Sequence, residues 1–247
     1  MTPDWLTARP IAHRGLHDAA EGVIENTAAA ARAAVAEKFA IECDVQISRD
    51  GEAMVFHDFA LERLTLGAGR VDAQDAAALT AIAFRSGRDG ILRLADFLAV
   101  IGGRVPLVCE IKSRFDGDMR LADRTLAIVS QQSSPVALKS FDPAVIAHLR
   151  GRGAALPLGI VAEAHYTHHE WDPLPAWLKQ SMAHLLHYEQ TRPDFLSWHI
   201  GDLPHAAPHL CRKGLGLPVM AWTVRTPEQR LLAAAWADQM VFEGFVP

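Results

Sequence analysis

The sequence predicts an α/β fold, a (β/α)8 barrel of the TIM type, and three observations predict it. Strand-like apolar runs alternate with helix-period segments along the whole chain of 247 residues, with no linker, repeat or low-complexity tract between them. One of nine strand candidates follows its predecessor too closely to be a parallel neighbour, which leaves eight. Charged and imidazole side chains sit at the C-terminal ends of several of those eight, the end at which such barrels carry their chemistry.

The strand patterns lie at about 10 to 13, 39 to 47, 53 to 57, 105 to 111, 135 to 140, 157 to 162, 195 to 200, 217 to 223 and 239 to 242. Helical patterns lie near 27 to 38, 94 to 102, 118 to 132, 142 to 152, 204 to 213 and 227 to 236, with shorter pieces near 73 to 82 and 174 to 186. Segments 39 to 47 and 53 to 57 are joined only through Asp50-Gly51, a hairpin signal, whereas a parallel crossover needs about a dozen residues. The 53 to 57 strand is therefore expected to fold back antiparallel over the barrel mouth and return His57 towards Asp44. The stretch 58 to 93 is polar and interrupted by glycine, and is expected to form a short cap insertion after the second strand. Residues 1–247 read as one domain, since 50% apolar residues in a chain of this length support a single large core.

Bulk properties exclude several classes. A net charge of −5, with no basic run interleaved with aromatics, argues against nucleic acid as a partner. No segment has the roughly 18 uninterrupted apolar residues of a membrane span, and Met1 to Pro10 lacks a signal-peptide core, so no stable membrane insertion and a cytoplasmic location are expected. Cys43, Cys109 and Cys211 have neither zinc spacing nor the even number of a disulfide framework. Cys43 and Cys109 alternate with the strand carboxylates, so they should face the surrounding helices as buried thiols.

Strand parity brings the acids together. Glu42 and Asp44 are two apart and point to one side, as do Glu110 and Lys112. Three converging carboxylates repel unless a cation stands among them, and such hard oxygen donors suit one divalent cation, Mg²⁺ or Ca²⁺, rather than zinc. Arginine and lysine are the alternative partners. His13 and His57 fall beside this site, where one imidazole can act as general base and the other as general acid. The later group His165, His168, His169, with His184 and His187, is irregularly spaced among Pro and Trp and reads as a solvated loop.

The ordered set His13-Arg14-Gly15, Glu25-Asn26-Thr27, Glu42-Cys43-Asp44, Arg49-Asp50-Gly51, His57-Asp58, Glu110-Ile111-Lys112, Ser140-Phe141 and Ala221-Trp222-Thr223-Val224 resembles the glycerophosphodiester phosphodiesterases over nearly the whole chain. The resemblance implies metal-dependent hydrolysis of a small-molecule glycerophosphodiester to glycerol phosphate and an alcohol. It also implies that the substrate's own glycerol hydroxyl attacks phosphorus, giving a cyclic phosphate that water later opens. Arg14 and Lys112 would then neutralise the phosphodiester charge, by a fork of donors and by a point charge respectively, or pair with the carboxylates, or do both. Glu25 would hydrogen-bond a site group, and Asn26 either supports the site or caps the Ala-rich helix that follows. Trp222 would line the pocket against glycerol or a cationic head group, or pack in the core. Two departures stand out: Ile24 occupies a position where proline is common, and the Phe242-Glu243-Gly244 ending replaces a Thr-Asp-x-Pro-like segment, which leaves the C-terminal contribution open.

Two other functions fit less well. A phospholipase D-like barrel acting on lysolipids or other phosphodiesters calls for an apolar cap rim, whereas this cap carries Arg63, Arg70, Asp72, Asp75, Arg85, Arg88 and Asp89. A barrel that binds phosphodiesters without turnover would be expected to lack a catalytic position, and none of the matched ones is missing.

Overall fold

The computed structural model describes residues 3–247; Met1 and Thr2, the start of the expected 1–247 domain and of the segment read for a signal peptide, lie outside the described residues. The barrel staves are β1 (Ile11–Ala12), β2 (Ala40–Ile47), β5 (Leu107–Ile111), β6 (Val136–Ser140), β7 (Leu158–Ala162), β8 (Phe195–His199), β9 (Val219–Val224) and β10 (Gln239–Phe242). All eight pair in parallel in that order, and β1 closes the ring by pairing with both β10 and β2. The fold is a closed (β/α)8 barrel with two further strands, β3 (Ala53–Val55) and β4 (Leu92–Arg93), outside the ring.

The helices between staves are α1 (Ala28–Ala36), α2 (Ala76–Ala81), α3 (Leu94–Ile101), α4 (Arg120–Val129), α5 (Pro143–Gly151), α6 (Ala176–Ala183), α7 (Tyr188–Thr191), α8 (Ala206–Gly214) and α9 (Pro227–Trp236). Local chemistry sets their ends. The Thr27 hydroxyl accepts from Ala30 N to start α1, Asp142 before Pro143 does the same for α5, and Thr226 before Pro227 for α9. Gly102, at φ 60°, ends α3 in the left-handed conformation.

Two cores follow from strand alternation. Side chains turned outward, including Ile41, Cys43, Val45, Cys109 and Leu138, pack against the helices; both cysteines, and Cys211, are buried free thiols. Those turned inward, Ile11, Ala40, Val108, Ala137, Phe195, Met220 and Val241, fill the barrel with Leu6. Gly159 makes room there, because a Cβ on it would lie 2.3 Å from the Phe195 ring.

The 53 to 57 segment is antiparallel to β2, as the hairpin signal requires, and is paired on its other side to β4, outside the ring of staves. Three elements differ from the sequence expectation. Neither β4, two residues long, nor α7, four residues long, has enough length to show a period. The 58–93 insertion also has more apolar interior than its composition suggests. Leu61, Val71, Leu79, Phe84 and Ile91 form a small core with Ile24, Met54 and Phe56. At the surface its Arg70 pairs with its own Asp72, and its Asp75 pairs with Arg49 of the hairpin turn.

Candidate active site

The acidic cluster is a product of register. Asp44 of β2 stands level with Glu110 of β5, which stands level with Lys139 of β6, so three neighbouring staves present one layer of charge inside the barrel. Glu42 lies one inward position below Asp44. Oxygens of Glu42, Asp44 and Glu110 lie within 4.8 Å of one another, and the three residues are at most 5% exposed. Lys112 Nζ bridges Asp44 at 2.8 Å and Glu110 at 2.6 Å. Lys139 Nζ lies 3.0 Å from Glu42 Oε1 and 3.4 Å from Glu110 Oε2. Burial alone would raise the Asp44 pKa, but Lys112, His57, Arg14 and His13 together hold it well below the usual carboxylate range. Glu110 follows the same balance, with Lys112 and Lys139 outweighing burial and the repulsion of Asp44. Both ammonium groups rise above the ordinary lysine value, because the carboxylates outweigh their desolvation.

The turn after β1 supplies the next layer. Arg14 has φ 56°, and Gly15 follows at φ 81° where a Cβ would press 2.8 Å from Ala30, so the His-Arg-Gly turn fits only with glycine third. This geometry directs Arg14 N to Glu42 at 3.1 Å, its Nε to Asp44 at 3.3 Å and its Nη1 to Glu25 at 2.7 Å. Asn26 donates from Nδ2 to Asp44 at 2.9 Å and accepts from Asp44 N at 3.2 Å. Thr27 is the helix cap, so of its two sequence readings Asn26 takes the one beside the acids. Arg63 of the insertion reaches both Glu25 and Asp58, tying the cap to the base of the site.

Each candidate catalytic imidazole is held by a carboxylate. His13 Nδ1 lies 2.5 Å from Glu243 Oε2, and His57 Nδ1 lies 2.7 Å from Asp58 Oδ1. A carboxylate acceptor keeps the proton on Nδ1 and fixes the ring, so Nε2 is the nitrogen left for proton transfer. Burial would raise the Glu243 pKa, yet His13, His17 and Arg225 lower it far below the ordinary value. Burial is likewise outweighed at Asp58, by His57 and Arg63.

The other side of the mouth is aromatic. Trp222 is half-buried near the C-terminal end of β9, donates to Ser197 O at 2.8 Å, and meets Phe141 and His199 with ring centroids 5.5 and 5.1 Å away. Trp171 packs on Phe141, Tyr166 and Phe115. Among these rings stands Glu163, 3% exposed, whose pKa is pushed up to about 7 by burial first and then by Asp202. The neighbouring histidines remain apart from the acids: His165, His168 and His169 lie in a loop around a short 169–171 turn, and His187 is buried against Thr191.

The acid triad fits a divalent cation by donor type and spacing, and buried Glu42 Oε1 has no hydrogen bond of good geometry. A model of the glycerophosphoryl diester phosphodiesterase family matches residues 13–246, the whole span from the first imidazole to beyond Glu243. The chain belongs to that family. It is accordingly a phosphoric diester hydrolase. No curated protein matches. Solved structures similar to it include a phosphodiesterase from Oleispira antarctica in complex with the product sn-glycerol-3-phosphate, at 21% identity and TM-score 0.74, covering 94% of this chain and 91% of that one. A glycerophosphodiester phosphodiesterase from Thermotoga maritima is similar at 20% identity and TM-score 0.69, covering 94% and 92%. One from Parabacteroides distasonis is similar at 16% identity and TM-score 0.75, covering 95% and 92%.

Sequence reasoning missed Lys139, Glu243, Arg63 and Glu163 as site neighbours. Signals existed for two of them. Lys139 is a charge at an inward position of the run Val136-Ala137-Leu138-Lys139-Ser140, and Glu243 directly follows the last stave, much as Glu110 stands near the end of the third.

Proposed function

We propose that the protein hydrolyses glycerophosphodiesters to glycerol phosphate and an alcohol, with one divalent cation, Mg²⁺ or Ca²⁺, on Glu42, Asp44 and Glu110 and with His13 and His57 as acid and base. The carrying observation is that each imidazole has its Nδ1 on a carboxylate, while both lie near enough to Asp44 to lower its pKa. When bound, the cation polarises a phosphoryl oxygen and favours the ionised form of an attacking hydroxyl. Arg14 and Lys112, already beside the acids, meet the phosphate oxygens by fork and point charge. One Nε2 takes the proton from the attacking hydroxyl as the new P–O bond forms; the other protonates the leaving alkoxide as the old one breaks. Which histidine does which is set by the face on which the leaving group lies. Asn26 fixes Asp44, Glu25 fixes Arg14, and Trp222 walls the far side. The chain acts as a single catalytic domain with 58–93 as its cap.

The test is release of glycerol phosphate from a panel of glycerophosphodiesters, before and after chelation. Chelation is expected to abolish turnover and Mg²⁺ or Ca²⁺ to restore it. Full turnover by protein that elemental analysis finds metal-free would overturn the metal assignment.

A further inference from the structure

Among the described residues, Lys139 is the buried cation of the cluster that has no role toward the phosphate in the proposed mechanism. It is 2% exposed, it comes from β6 rather than from a mouth loop, and both its contacts are metal-candidate carboxylates, Glu42 at 3.0 Å and Glu110 at 3.4 Å. Lys112 takes Asp44 and the other oxygen of Glu110, and Arg14 takes Asp44 and, through its backbone N–H, the other oxygen of Glu42. The three carboxylates are thus faced by three side-chain cations, Lys112, Lys139 and Arg14, the last shared with Glu25. A divalent ion added among them places two further positive charges beside buried ammonium groups, which is unfavourable unless an anion enters with it or an ammonium group leaves.

We propose that Lys139 is a resident counter-ion that competes with the divalent cation for Glu42 and Glu110, so that metal binds weakly alone and more tightly together with a phosphate. The proposal rests on the metal reading given above. Lys139 holds Glu42 and Glu110 in place, and its contacts of 3.0 and 3.4 Å are longer than the 2.8 and 2.6 Å contacts of Lys112. By linkage, phosphate strengthens metal binding by the same factor by which metal strengthens phosphate binding.

Calorimetric titration of Mg²⁺ and Ca²⁺ into the full chain and into Lys139→Met, each with and without inorganic phosphate, tests this. The wild type is expected to bind metal at least about tenfold more tightly with phosphate present, and Lys139→Met to bind metal at least about tenfold more tightly than wild type without it. Thermal melting gives an independent readout: metal should raise the melting temperature of Lys139→Met more than that of the wild type. If Lys139→Met fails to fold without metal, folding it in Ca²⁺, or using Lys139→Gln, keeps the titration possible. Equal or weaker metal binding by the variant refutes the role of Lys139 while leaving the metal reading intact. Absence of metal binding in both proteins, with or without phosphate, refutes both.

Discussion

The two halves of the barrel mouth treat charge in opposite ways. Across β1, β2, β5 and β6 the buried carboxylates Glu42, Asp44 and Glu110 each meet a cation, and Asp44 and Glu110 are held below their ordinary pKa values in spite of their burial. Across β7, β8 and β9 the wall is Phe141, Tyr166, Trp171 and Trp222, and Glu163 stands among them beside Asp202 with its pKa raised to about 7. Burial is common to both halves, so it does not decide ionisation. The partner does: ammonium groups at 2.6 to 3.4 Å on one side, rings and a second carboxylate on the other. Under the proposed function, one half holds charge through the reaction and the other encloses the less charged part of a substrate.

The strongest way to break the contrast is to strip the charged half of its proposed acid and base. His13→Ala and His57→Ala should each lower kcat by about 10²-fold or more, with little change in melting temperature. Retained activity in either variant removes that imidazole from the mechanism. A smaller effect is expected from the carboxylate behind one of them. Glu243→Gln keeps the shape but weakens the hold on His13 Nδ1, and should cost about 10- to 100-fold in kcat while shifting the pH–rate profile; an unshifted profile with normal kcat makes Glu243 a bystander.

Lys112→Met sharpens the comparison by asking whether a charged-half cation serves the substrate or the fold. Serving the phosphate, it should impair catalysis and leave metal affinity similar or slightly higher. Serving the carboxylates alone, its loss should destabilise the protein by about 3 kcal/mol with normal kcat/KM in saturating metal. Metal titration and thermal melting of the one variant separate the two.

The aromatic half gives the smallest effect and the opposite sign with pH. A carboxyl whose pKa rises from its ordinary 4.5 to about 7 on folding favours the folded state fully below the lower value, and that contribution is lost as pH rises through the higher one. Stability of the wild type should therefore fall between about pH 5 and 8 by an amount that Glu163→Gln, neutral throughout, does not show. Identical pH–melting profiles for the two proteins would place Glu163 in solvent contact.

The sequence made the charged half legible and left the aromatic half dim, for a physical reason. Parity along a strand is a local rule, so Glu42 with Asp44 and Glu110 with Lys112 declare their common side within three residues. The Asp50-Gly51 turn likewise declared the antiparallel β3. Whether Glu163 meets a ring or a cation depends on loops 170 and 202, and no local pattern reports that. Lys139 obeys the same parity as the acids, but a single lysine in an apolar run reveals its partners only once β2, β5 and β6 are in register. Glu243 was legible as a departure from the resemblance and illegible as the partner of His13, since that contact exists only when β10 lies beside β1. The strand β4 is too short to carry a period and is held by its pairing with β3.

The bond between His13 and Glu243 joins residues 230 positions apart, across the seam where β1 closes the ring. Loops of that length close late, after local helices and hairpins have formed. A refolding chain should therefore recover its circular-dichroism signal while still inert, and turnover should appear only as the two edges of the sheet meet. Catalysis in this protein is in that sense a clock for the final event of assembly.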